Sequence, residues 1–312
     1  MLKLGELLMD YITYRKKLYA LDLSQIRHFI HSYNSNYALA TMLFPRRIKE
    51  ATLTVYSFVR YADELVDNPQ DYILGQTHDT IAEFINEFNN VVEFGINSNT
   101  SVHPVIRANY FLFKNYDIPF SYLTDFLNVM LQDTHIKKYK SYAELEHYMW
   151  GSASVIGHIM THIIGYKDSV AFDDARALAE AMQLANFLRD IDEDYQQRKR
   201  IYLPEQDRVA FGVTEQMIKE RVMTKELYNL VYHYAHRTEV LFKKGIFGIH
   251  YLKSGKFSVL LAARIYQKNL YVLKKVNYDP FKVRIRLSVH SKIMVLFSTI
   301  CMYPFWKLKN KP

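Results

Sequence analysis

Two short stretches of this chain carry residues spaced for joint chemistry. In Gln183–Asp194, read Gln-Leu-Ala-Asn-Phe-Leu-Arg-Asp-Ile-Asp-Glu-Asp, residues Asn186, Asp190 and Asp194 fall four apart. On a helix that spacing stacks them on one face, about one turn from each other. Gln183 lies on the same face, and Asp192 and Glu193 point elsewhere. The neighbours Ala177, Leu178, Ala181, Met182, Leu184, Ala185 and Phe187 are apolar, so the helix reads as mostly buried. Carboxylates on a buried helix are costly unless paired, hydrogen-bonded or holding a cation. The second stretch, Tyr56-Ser-Phe-Val-Arg60-Tyr-Ala-Asp63-Glu-Leu-Val-Asp67, repeats the ladder and puts Arg60 one turn before it. Two such helices facing each other line a gap with hard oxygen donors. Magnesium suits that gap, because it takes one or two carboxylates, keeps waters and completes its shell with substrate phosphate.

Such ladders need long, rigid carriers. Glycine and proline are scarce, 10 and 8 in 312 residues, which favours long helices over a turn-rich β fold. The expected helices are Ser35–Leu43, Pro45–Val66, Asp71–Phe94, Pro104–Tyr116, Pro119–Lys137, Tyr142–Gly165, Asp168–Glu193, Thr214–Arg221, Lys225–Phe247, Leu252–Val276 and Pro280–Met302. Residues 1–20 read as an amphipathic entry helix. Ser141-Tyr-Ala-Glu144 is a capping box. Tyr195–Pro204 breaks the periodicity and reads as a basic flap. Strand-like alternation and internal repeats are absent. The expectation is one all-α domain over 1–312, a helical bundle.

The formal charge of +8 points to an anionic partner: a phosphorylated substrate, nucleic acid or anionic lipid. Arg46-Arg47 and Arg198–Arg200 are basic, but no nucleic-acid motif accompanies them, so phosphate steering or solubility is preferred and no nucleic-acid partner is expected. The single Cys301 excludes an intrachain disulfide framework and fits a reducing, cytoplasmic setting. The N-terminus does not read as a signal peptide. The apolar run Ile293–Trp306 is too short to span a bilayer. Within the apolar and basic segment 293–312, its flanking lysines leave a peripheral membrane contact open, on the inner face and with a role in product release. A core helix with a solvated basic tail is the preferred reading. His158 and His162, at i and i+4, read as packed histidines. Glu144-x-x-His147 lacks the second copy that a di-iron bundle requires.

The ordered motifs resemble the squalene/phytoene synthase family, the head-to-head trans-isoprenyl diphosphate synthases, and look most like a phytoene synthase. The likeness covers most of the chain, from about Ser32 to Ser288. Asp63-Glu-Leu-Val-Asp67, with Tyr56 and Arg60 before it, is similar to the family's first Asp-rich motif. Gln183-x-x-Asn186-x-x-Arg189-Asp190-x-x-x-Asp194 is similar to the second, and Arg200-Ile-Tyr202-Leu-Pro204 to the flap end. Ser35-Asn-Tyr37, Tyr148, Ala263-Arg264-Ile-Tyr266 and Tyr278-Asp279-x-Phe281 match its remaining segments. There are departures. Ser154 replaces a glycine, which narrows the cavity or adds a hydroxyl near it. Glu64 stands where relatives have Asp and, pointing off the ladder face, should matter little. Arg198-Lys199-Arg200 lacks the usual glycine.

The resemblance implies an isoprenoid-synthase bundle with a central apolar cavity and a prenyltransferase that joins two prenyl diphosphates through a cyclopropyl diphosphate. The preferred pair is two geranylgeranyl diphosphates, giving phytoene for carotenoid biosynthesis. The alternative is two farnesyl diphosphates, giving squalene or dehydrosqualene. Asp63, Asp67, Asp190 and Asp194, with Asn186 as a neutral ligand, are then expected to hold about three magnesium ions, manganese being a possible substitute. NADPH is expected only of a squalene synthase. Arg60, Arg189 and Arg284 are expected to clamp diphosphate oxygens. Ser35, Tyr37, Tyr56 and Gln183 are expected to contact substrate. Tyr37, Tyr148 and Tyr266 are expected to face the allylic cation, and Tyr148 or Tyr266 to handle a proton. A second class of reading is a non-catalytic scaffold of the same fold.

Overall fold

Helix follows helix along this chain because apolar residues recur at helical spacing, and side-chain caps start several of the runs. The computed structural model describes residues 36–67, 78–96, 101–282 and 285–309. The expected entry helix 1–20, Ser35, residues 71–77 of one expected helix and Arg284 lie outside these residues, as does the side chain of Tyr37. Among the described residues there is no strand, only isolated bridges such as Lys138 with Ile201 and Tyr166 with Leu252. By internal packing the chain divides into two compact units, residues 1–35 with 45–121, and residues 36–44 with 122–312.

The described part of the first unit holds α2 (Arg46–Asp67), α3 (Ile81–Phe94) and α4 (Pro104–Tyr116). Thr80 caps α3 by accepting from the Glu83 amide, which is why this helix starts at 81. Pro104 occupies the first turn of α4, where its missing N–H costs nothing. Phe58, Phe84 and Phe88 form an aromatic core with ring centroids 5.0 and 5.4 Å from Phe58. Asn109 ties α4 to α2, its amide donating to the Thr54 carbonyl at 3.0 Å.

The second unit begins with α1 (Asn36–Met42) and continues with α5 (Ser121–Asp133), α6 (Tyr142–Met149), α7 (Val155–Ile164) and α8 (Val170–Arg198). Then come α9 (Glu205–Ala210), α10 (Glu215–Lys219), α11 (Lys225–Gly248), α12 (Lys256–Lys275) and α13 (Val289–Lys309). Ser141 caps α6 as expected, accepting from the Glu144 amide at 3.3 Å. The reciprocal arm differs: Glu144 accepts from the Lys140 amide, one residue earlier.

The 29-residue α8 is the axis of this unit. Leu178, Ala181, Met182 and Ala185 on it pack with Phe242 of α11 and with Ala263 and Tyr266 of α12. Ala40 of α1, Leu261 and Ile265 of α12 and Val295 of α13 form a second cluster. Several spans differ from the periodicity. The long α8 continues to Arg198, so the first residues of the expected flap Tyr195–Pro204 are helical, and residues 78–80 of the expected helix 71–94 are not. The expected helix 142–165 is a rod interrupted by a π turn over Trp150–Ser154. Within it only glycine fits at 151: a Cβ there would lie 2.3 Å from Val129 Cγ2 and 2.7 Å from the Asp125 carbonyl. The expected helix 280–302 starts instead at Val289 and runs on past Pro304.

Candidate active site

Both ladders stand on helices, each in its own unit. On α2, Asp63 and Asp67 are half-buried, and Tyr56 lies on the same helix, also half-buried. The Arg60 guanidinium donates to Asp63 at 2.7 Å and to Glu64. Glu64 is buried, which corrects the expectation that this position matters little. It points off the ladder face, as expected, but into the interior, where it needs the arginine to compensate its charge. Arg60 therefore bridges the ladder to a buried carboxylate.

On α8 the residues Gln183, Asn186, Asp190 and Asp194 are half-buried, while Leu184, Ala185, Phe187, Leu188 and Ile191 between them are buried. The helix thus presents one polar strip in an apolar surround, as its spacing requires. The oxygen Oδ1 of Asn186 is buried and has no hydrogen-bond partner. Arg189 lies beside the strip, and both Nε and Nη2 donate to the Asp190 carboxylate. Asp192 and Glu193 point away, to Arg221 at 2.7 Å and Arg286 at 3.4 Å.

Asp194 shows what the strip lacks. Burial and the neighbouring Asp190 carboxylate push its pKa up to about 7, against the pull of Arg198 and Arg200. Two carboxylates one turn apart and an orphaned amide oxygen make a hard, cation-seeking donor set. Within either unit, no three His, Cys, Asp or Glu among the described residues gather as a metal cluster. The α8 set is two carboxylates and an amide, and it fits an ion that completes its shell with water and phosphate.

The raised pKa carries a stability prediction. The native state holds the Asp194 proton more tightly than the unfolded chain, so stability falls as pH rises from about 4 to 7. Asp194→Asn removes that loss. In chelator, its melting temperature should exceed the parent's at pH 8, by an amount worth on the order of 2 kcal/mol, and match it near pH 4. Equal melting temperatures at pH 8, read by calorimetry, refute the assignment.

The segment after α8 is pinned. Lys199 takes the left-handed conformation at φ 54°, the place where glycine was missed. The Arg200 amide then donates to the Asp194 carbonyl at 3.1 Å, turning Arg200 inward. The Ile201 amide bonds to the Lys137 carbonyl, and the Glu205 and Gln206 amides to the Tyr139 and Lys140 carbonyls. Tyr202 stacks on Phe187 of α8, with centroids 3.9 Å apart and planes at 12°. Phe187, Ile191, Asp194, Arg200 and Tyr202 line a narrow cleft.

Behind that cleft is a buried polar network that sequence reasoning missed. The Tyr148 hydroxyl donates to Asp133 Oδ2 at 2.8 Å. Arg200 donates to the Tyr202 hydroxyl at 3.0 Å and to the Asp133 carbonyl at 2.9 Å, and lies 3.6 Å from the Asp133 carboxylate. Tyr139 packs against Tyr148 and Tyr202. Burial drives the Tyr148, Tyr202 and Tyr139 hydroxyls well above the ordinary tyrosine value, so they stay protonated. A lone Asp at the end of α5 gave no signal in the sequence.

The other expected residues are placed as follows. Tyr148 is buried in this network. Tyr266 is buried in the α8–α11–α12 cluster. The Ser154 hydroxyl is spent on Glu180 at 3.4 Å, a carboxylate also held by Arg176. His158 is packed among Tyr122, Trp150 and Phe172, as expected of a core histidine.

An all-α fold with a polar strip on a buried axial helix is the architecture of the isoprenoid synthases. The comparisons narrow this. A family model described as squalene/phytoene synthase matches residues 30–291. Phytoene synthase of Thermus thermophilus is 26% identical over 280 residues, covering 88% of this chain and 91% of the relative. The 15-cis-phytoene synthase of Synechocystis is 26% identical over 283 residues, covering 86% and 82%. A solved dehydrosqualene synthase superposes with a TM-score of 0.81 at 25% identity, covering 93% of this chain and 99% of that one. A squalene synthase from Alicyclobacillus acidocaldarius, with a TM-score of 0.73 at 22% identity and coverage of 83% and 95%, shares the fold. The chain belongs to the squalene/phytoene synthase family, and it is a prenyltransferase.

Proposed function

We propose that this enzyme joins two geranylgeranyl diphosphates head to head to give phytoene, with both Asp ladders serving the reaction and the chain working as one domain. The observation that carries the reading is the α8 strip, with its raised Asp194 and its orphaned Asn186 oxygen. The phytoene synthases among its relatives favour the C40 substrate.

In this reading Asn186, Asp190 and Asp194, and likewise Asp63 and Asp67, are the ligands that would hold magnesium, about three ions. When bound, magnesium supplies the positive charge that makes diphosphate a competent leaving group. Arg60, Arg189 and Arg284 orient the diphosphate oxygens; Arg60 and Arg189 can trade their carboxylate partners for phosphate, to which guanidinium is equally matched. Gln183, Tyr56, Ser35 and Tyr37 position the head groups. Loss of diphosphate leaves an allylic cation, which the second substrate's double bond attacks; proton loss closes a cyclopropyl diphosphate. A second ionisation, rearrangement and proton loss give the hydrocarbon. Tyr148, fixed by Asp133, and Tyr266 present aromatic faces to the cation, worth about 1 kcal/mol or more each when water is excluded.

A C30 product is the second reading, favoured by the likeness to a dehydrosqualene synthase. Incubation with labelled geranylgeranyl or farnesyl diphosphate, with and without magnesium and NADPH, separates the cases. Phytoene from the C20 substrate without NADPH is the expected result. Squalene or dehydrosqualene from the C15 substrate assigns the second reading, and no consumption of either with magnesium present ends both.

A further inference from the structure

Asn269 is a polar residue in an apolar place. Ala262, Tyr266, Asn269 and Leu273 of α12 recur at i, i+4, i+7 and i+11, one stripe of the helix. Tyr266 belongs to the α8–α11–α12 cluster, and Ala262 packs against it. Asn269 itself is 1% exposed, and among the described residues neither its amide oxygen nor its amide nitrogen has a hydrogen-bond partner. A side-chain amide carries donors at one end and an acceptor oxygen at the other. Leaving both ends unpaired away from water costs free energy that an apolar residue of the same size would not. Asn109, buried as deeply, avoids that cost by donating to the Thr54 and Val105 carbonyls.

The backbone sets this amide level with the α8 strip. The Lys167 amide donates to the Tyr251 carbonyl at 2.7 Å, and the Lys253 amide to the Gly165 carbonyl at 2.8 Å. These bonds tie the residues just before α8 to those just before α12, so the two helices start side by side and run parallel. Leu178, Ala181, Met182 and Ala185 of α8 then pack with Ala263 and Tyr266 of α12. One turn further along both helices, Asn269 comes level with the turn from Asn186 to Asp190. Arg189 in that turn interacts electrostatically with Tyr266, which fits the same register. Asn186 has an unpartnered amide oxygen of its own. Two packed helices of one unit therefore carry two stranded amides at one height, beside Arg189 and Asp190.

We propose that Asn269 is a further substrate-binding residue, whose amide N–H groups donate to an oxygen of one diphosphate head group. The inference rests on the prenyl diphosphate reading and adds to it a neutral donor from α12. Prenyl chains carry no polar atom, so only the head group can pair with the amide. A neutral group suits this height on the bundle. A lysine there would compete with a metal ion for Asp190, and a carboxylate would repel the diphosphate. The amide oxygen remains free to accept from water brought in with the head group. The unpaired state of Asn269 then belongs to the free enzyme, and its pairing to the complex.

Calorimetric titration of the full-length protein with inorganic diphosphate, in the presence of magnesium, reads this pairing without turnover. Asn269→Leu keeps the volume and removes the amide, and it should bind diphosphate about ten-fold more weakly than the parent. Its KM for prenyl diphosphate should rise by a similar factor, with kcat changed far less. Without ligand and in chelator, the same variant should melt higher than the parent, because an unpaired buried amide has given way to an apolar side chain. Asn269→Asp keeps the shape and replaces the donors with charge, so at pH 8 it should also bind diphosphate more weakly. Parental affinity in either variant overturns the proposal. So does a melting temperature of Asn269→Leu below the parent's, which would mean that the fold itself satisfies the amide. A parent that binds diphosphate and consumes prenyl diphosphates beside variants that match it ends this inference alone. A parent that does neither ends the catalytic reading with it.

Discussion

Asp63→Asn should lower turnover by about three orders of magnitude while leaving the fold nearly as stable as the parent. The two halves of this prediction have separate causes. If Asp63 is a metal ligand as proposed, losing its carboxylate withdraws several kcal/mol of leaving-group stabilisation, and about 4 kcal/mol corresponds to a thousand-fold in rate. The stability cost is small because the Asp63 side chain is 40% exposed and Arg60 keeps its second carboxylate, Glu64. A partly exposed ion pair is worth about 0–1 kcal/mol. Single-turnover kinetics and a thermal melt on the same preparation check both halves. A variant that retains turnover removes Asp63 from the proposed metal ligands. Asp190→Asn is the less clean probe, since Arg189 would lose the carboxylate that takes both of its donors.

Asp133→Ala should be the most destabilising single change at the site. Arg200 is 6% exposed and Asp133 7%, so their pair is out of water. Removing the carboxylate leaves a buried guanidinium and the Tyr148 hydroxyl without their anion, a loss of about 3–5 kcal/mol and a melting temperature lower by about 10 °C. Adding Arg200→Ala should recover part of that loss, because the stranded charge goes with it. Strict additivity in this double-mutant cycle would show that the two residues act separately. Loosening the network also frees Tyr202 from Phe187 and opens the segment that covers Asp194, so turnover should fall in Asp133→Ala even well below its melting temperature.

Much of this site was legible in the order of residues. Asn186, Asp190 and Asp194 were placed on one strip by spacing alone, and the apolar neighbours told correctly that the strip sits on a buried helix. The helices over 46–67, 104–116 and 225–248 follow from their caps and periodicity to within a residue or so. Family membership was legible as well, since two Asp ladders and a Tyr-Leu-Pro end form a specific ordered set.

Spacing along the chain therefore determined which side chains share a helix face and which chemistry they can perform, because a helix repeats every 3.6 residues whatever surrounds it. Tertiary structure alone decided the remainder. Asp133 meets Arg200 across 67 residues, Gly151 is pressed against Val129, Glu64 is drawn inside to Arg60, and α13 is left covered on one side. Each depends on which distant groups compete for the same space or charge, and no local period of the sequence encodes that competition.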